Sequence, residues 1–198
     1  MAISAERFTQ GLSYAEWRQA MTKNQDRFDQ AEKAFTLDDA DLATFRGLKA
    51  PLNVAAIAED WCGDVIANLP ILGRIADATG KVNLRVFLRD QNHDLIDQYL
   101  KEGKFRSIPV FIVMDADFRE LGVFIERPAS VTALRADRRL AVFASDPAFG
   151  APDGATDLLP EDVRARLQTA LAAMRDDTRD FANREVVKDL SAIVARAA

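Results

Sequence analysis

The chain has 198 residues but only one cysteine and one histidine. A lone cysteine excludes an intramolecular disulfide, so any disulfide must be made with another molecule, and a reducing cytoplasm is the expected setting. With one cysteine, one histidine and scattered carboxylates, no spacing suits a metal, and none is expected. A Cys–His nucleophile pair would have to use His93, which reads as the solvated start of a helix. A basic surplus is also missing. Lys and Arg number 26 against 31 Asp and Glu, for a net charge of −5, which argues against a nucleic-acid partner. Long apolar runs are lacking too: Pro109 to Met114, PVFIVM, is far too short to cross a bilayer. The start, MAISAERF, has neither the basic residues nor the apolar stretch of a signal peptide. No membrane association is expected.

What is present is an ordinary folded composition, 48% hydrophobic and 29% charged, which argues against disorder. Ser13 and Glu16 form the S-x-x-E capping box of a first helix, with Leu12 and Trp17 at the positions of a hydrophobic staple. Tyr14, Trp17, Met21, Phe28, Ala31 and Phe35 continue its apolar face past Asn24. A shorter helix follows, with Thr36 or Asp38 as cap and Gly47 as stop. From residue 52 the period shifts. Residues 52–59 read as a buried strand, 64–79 as a helix ended by Gly80, and 82–88 as an alternating strand. A helix over about 93–101 stops at Gly103. Residues 108–114 and 120–126 form a hairpin, and a helix spans about 129–142. The order predicts an α/β fold, a mixed sheet with helices on both faces. Residues 145–160 are rich in Pro and Gly and read as a loop. Two amphipathic helices then carry the stripes Val163-Leu167-Leu171-Met174 and Val186-Leu190-Ile193-Val194. These stripes are expected to pack on each other and on the Trp17-Met21-Phe28 face, with a homodimer as the alternative to a monomer.

Cys62 follows a buried strand and opens a helix, where free amides and the helix dipole favour a thiolate. The alternative is a small buried hydrophobe. The segment Trp61-Cys62-Gly63 resembles the W-C-G-P-C motif of thioredoxins. Pro70 stands where that family carries a helix-kinking proline, and Ser107-Ile108-Pro109-Val110 is similar to its cis-proline loop. The pattern most resembles a thioredoxin-like branch with E-D-W-C-G-D (59–64), F-L-R-D (87–90) and R-S-I-P-V-F (106–111). The resemblance covers roughly residues 10–145. It implies a thioredoxin-like three-layer fold with residues 51–144 as the core. Residues 1–50 are then an N-terminal helical extension, 145–160 a loop, and 161–198 C-terminal helices packing on the core.

The departures from the family are chemical. Val65 occupies the position of the second, resolving cysteine, and Ala56 that of the buried aspartate. Asp64 replaces the motif proline and joins Glu59 and Asp60 near the thiol, where negative charge opposes ionisation. These three read as solvated charges at a helix start, and Arg106 is the candidate stabiliser of the thiolate. The resemblance implies a catalytic Cys62, with Trp61, Gly63, Asp64, Val65, Ile108 and Pro109 shaping a groove. Monothiol exchange with a protein disulfide or small thiol is expected. It needs no bound cofactor, only glutathione or another external thiol to resolve the adduct. The alternative is a non-catalytic protein-binding module that keeps the groove.

Overall fold

Seven consecutive residues, Leu52–Ala58, are buried without a break. A strand whose alternate side chains point to opposite faces is buried in this way only when both faces are covered. This strand, β2, is central in the computed structural model, which describes residues 3–197. The preceding elements are α1 (Ala5–Thr9), the two-residue β1 (Leu12–Ser13), α2 (Tyr14–Ala20), α3 (Gln25–Ala34) and α4 (Asp39–Arg46). After β2 come α5 (Gly63–Thr79), β3 (Val82–Leu88), the single turn α6 (His93–Ile96), β4 (Val110–Met114) and β5 (Glu120–Ile125). Three longer helices complete the chain: α7 (Ala129–Ala144), α8 (Glu161–Asp177) and α9 (Arg179–Val194).

The sheet is mixed, with strand order β1-β3-β2-β4-β5. β2 and β3 run parallel with Ala58 opposite Leu88, whereas β4 is antiparallel to β2 with Ile57 opposite Val110. The C-terminal ends of β2 and β3 and the start of β4 therefore converge on one edge of the fold. In open α/β sheets, the carboxyl ends of the strands are where ligands bind. Pro70 lies buried inside α5, where it removes one hydrogen bond of the helical ladder.

Two sequence expectations about helices fail. The predicted helix over Tyr14–Phe35 is two helices, because the Asp60 carboxylate accepts the backbone N–H groups of Thr22 and Lys23. The Asn24 side chain donates to the Asp60 carbonyl, and Asn24 itself takes a left-handed conformation. The helix predicted to reach residue 101 stops after one turn. Glu102 and Gly103 are both left-handed, and Lys101 pairs with Phe105 in an isolated bridge. Elsewhere local signals hold. The Ser13–Glu16 capping box is complete, Asp38 and Asp41 form a second one, and Gly80 caps α5.

The chain divides into two compact units, one running to Arg127 and resuming at Val186, the other Pro128–Glu185. Residues 145–160, expected as a loop, lie within the second unit, and the two C-terminal stripes do not share a core. Val163 and Leu167 of α8 cluster with Phe143 and Phe149. Val186, Val187, Leu190, Ile193 and Val194 of α9 join the large core that also holds Trp17, Met21 and Phe28. Gly122 of β5 permits this closeness: a Cβ there would lie 3.0 Å from an Ile193 methyl.

Candidate thiol active site

Cys62 is the residue that caps α5, in extended backbone conformation. It is only partly exposed. Its thiol donates to the carbonyl oxygen of Ile108 across 3.5 Å, and the Ile108–Pro109 peptide is cis. Residues 46 positions apart in the chain thus meet because β2 and β4 are neighbours with Ile57 opposite Val110. Trp61 is 42% exposed beside them. Beyond its chain neighbours and its own helix backbone, a Cβ on Gly63 would meet no described atom within 4 Å, so crowding is not what places glycine there.

Val65 is 0% exposed. The position of the missing second thiol is sealed in the core rather than open to a substrate. Ala56 is equally buried.

The helix start does not produce the thiolate expected there. Burial pushes the Cys62 thiol above its ordinary range. The backbone N–H groups of Val65 and Asp64 pull it down, the Asp64 charge raises it further, and Arg89 lowers it. Burial prevails because the charged form loses hydration that two amides do not replace.

The neighbouring carboxylates are not solvated charges. Glu59 is 8% exposed and accepts the Asp90 backbone N–H at 2.8 Å. Burial raises its pKa, against the lowering effect of that hydrogen bond. Asp60 holds Thr22 and Lys23, as described. Asp64 pairs with Arg127 at 2.9 Å. Arg127 also pairs with Glu126, whose carboxylate binds Lys101 and whose backbone N–H donates to the Pro109 carbonyl at 2.7 Å. The Asp64 side of the thiol and the cis-proline loop are thereby joined by two ion pairs and a backbone hydrogen bond.

Arg106 is engaged elsewhere. Its Nε and Nη2 donate to the two Asp97 carboxylate oxygens at 2.6 and 2.8 Å. The cation acting on Cys62 is Arg89, which lies over the Trp61 ring at 4.7 Å. Sequence reasoning met Arg89 only inside F-L-R-D and missed Arg127, far along the chain from Asp64, for which no local signal exists. His93 is exposed at the start of α6. Among the described residues, no cluster of His, Cys, Asp and Glu is placed to hold a metal ion. No described helix is long and apolar enough to cross a membrane.

Comparison with known proteins yields no match among the curated sequences. Among solved structures, a protein of unknown function from Pseudomonas aeruginosa is similar over 100% of both chains, with a TM-score of 0.66 at 20% identity. An HIV epitope scaffold is similar over 98% of both chains, with a TM-score of 0.64 at 21% identity. Likeness at that identity is evidence of fold alone, and it extends over the helices at both ends. The sequence model of a family described as thioredoxin matches residues 11–139, a span holding Trp61-Cys62-Gly63 and the cis-Pro109 loop. The chain belongs to this thioredoxin family.

Proposed function

We propose that the protein performs single-thiol exchange, with Cys62 taking up a partner sulfur as a mixed disulfide and thereby reporting the redox state of that partner. The observation that carries this reading is the thiol held against the Ile108 carbonyl while Val65 is closed into the core. In the step itself, the deprotonated Cys62 sulfur attacks one sulfur of a partner disulfide. The Cys62–sulfur bond forms as the partner's S–S bond breaks, and the departing sulfur takes up a proton in place of the one Cys62 lost. An external thiol such as glutathione then attacks the mixed disulfide and restores Cys62. The partner is a protein disulfide or a small thiol in its oxidised form.

Two features favour capture over turnover. No second thiol expels the partner. A thiol with a raised pKa is also a poor leaving group, so an adduct on Cys62 persists. When the sulfur enters a disulfide, the Ile108 carbonyl loses its donor and becomes available to the backbone N–H of an extended partner segment.

Incubation with oxidised glutathione followed by intact-mass measurement tests the reading. One glutathionyl group should add to the wild-type chain, none to Cys62→Ser, and excess dithiothreitol should remove it. A wild-type chain that stays unmodified by oxidised glutathione and by a peptide disulfide would overturn it.

A further inference from the structure

Arg89 touches both halves of the thiol site. Its guanidinium carbon lies 4.7 Å from the centre of the Trp61 ring. Its Nη1 reaches the Arg106 carbonyl at 3.4 Å, on the loop that leads to cis-Pro109. Nε and Nη2 both donate to one Asp90 oxygen, at 2.9 and 2.7 Å. The turn at Arg89–Gln91 is held in its own right, because the Glu59 carboxylate accepts the Asp90 N–H beyond the last ladder pair, Ala58 with Leu88. Glu59 and Asp60 are consecutive, and each seizes backbone N–H groups from a different segment. Between them, the turn that presents Trp61 and Cys62 is anchored from two sides.

We propose that Arg89 is the positioning residue of this site: it clamps the Trp61 ring and the loop carrying cis-Pro109 into one arrangement and supplies positive charge beside Cys62. A guanidinium suits this task better than an ammonium because its planar face stacks on the indole while its edge donates in two directions. The other charged groups around the thiol are committed. Asp64 is paired with Arg127, Asp60 with backbone N–H groups, Glu59 with the Asp90 N–H, and Arg106 with Asp97. Arg89 shares its charge with Asp90, and it acts on the thiol against both burial and Asp64.

The inference rests on Cys62 as the reacting thiol but is read without any disulfide partner. The full chain carrying Arg89→Gln or Arg89→Lys is compared with wild type by the pH profile of iodoacetamide alkylation and by acrylamide quenching of tryptophan fluorescence. Trp17 is buried, so quenching reports chiefly on Trp61. In Arg89→Gln the alkylation rate at fixed mildly alkaline pH should fall about threefold or more, with a higher midpoint, and quenching should increase. Arg89→Lys, which keeps the charge but not the fork, should recover part of the alkylation rate while its quenching stays raised. A folded Arg89→Gln protein with wild-type profile and quenching would overturn the proposal. Should that variant fail to fold by circular dichroism, wild-type values for both readouts in Arg89→Lys would overturn it equally. Failure of glutathionylation in wild type would count against single-thiol exchange without touching this result.

Discussion

The Cys62 thiol donates to the Ile108 carbonyl across 3.5 Å, so the sulfur points at the loop of cis-Pro109. Burial raises the thiol's pKa, and the neutral form is therefore the one the fold favours. Iodoacetamide should alkylate Cys62 more slowly at about pH 7 than it alkylates free cysteine, with the rate climbing through a midpoint above that of the free thiol. Alkylation faster than free cysteine at neutral pH would contradict the balance of burial over the helix terminus.

Val65 stands at the position from which a second thiol would resolve the mixed disulfide. Wild-type protein should give little insulin-disulfide reduction. Val65→Cys should gain both an internal disulfide, between Cys62 and the introduced thiol, and measurable reduction of insulin. The cost in stability should be about 1 kcal/mol, from lost packing at a fully buried position. Mass measurement after alkylation distinguishes the internal disulfide from adducts. An oxidised variant that never closes this disulfide would show that the site is not built on dithiol geometry.

Glu59 is a buried carboxyl with a raised pKa. Folding favours its neutral form more than the unfolded chain does, so the stability this carries is fully present below the ordinary glutamate range and is lost as pH rises through the folded value. Gln can still accept the Asp90 N–H without carrying charge. Relative to wild type, Glu59→Gln should therefore gain stability between about pH 4 and pH 7, as seen in urea midpoints at the two pH values. A variant that instead loses ground as pH rises would mean Glu59 is held as a stabilised anion.

Gly73 of α5 faces Tyr14, and a Cβ there would come within 2.6 Å of the ring. The ring has little room to yield, because it stacks near Trp17 and its hydroxyl donates to Glu32 at 2.6 Å. Gly73→Ala should cost about 1–3 kcal/mol from overpacking, outweighing the helix propensity that alanine brings. A thermal melt measures it, and an unchanged or raised Tm would show that α2 shifts freely on α5.

Leu190 of α9 is buried in the large core, so Leu190→Ala should destabilise the protein by about 2–5 kcal/mol. For the same reason, a chain ending at Glu185 should aggregate, since Val186, Ile193 and Val194 also leave that core. Light scattering tests the truncation. A monomeric truncated chain of unchanged stability would make the end of α9 an appendage.

The sequence by itself determined what depends on neighbours in the chain. The capping box at Ser13, the stop at Gly80, the largely apolar strand at 52–58 and the alternation at 82–88 are local hydrogen bonding and periodicity. Each can be read within a few residues, and the motif at Trp61-Cys62-Gly63 with the proline loop at 109 pointed to the family. Only the tertiary structure decided how charges and stripes were spent. Asp60 breaks a helix 38 residues away, Arg127 claims Asp64, and Asp97 holds Arg106 away from the role expected for it. The stripes of α8 and α9 enter different cores although their patterns look alike. A carboxylate's partner and a thiol's ionisation depend on what long-range folding brings near and how much water it removes, and neither quantity is written in local spacing.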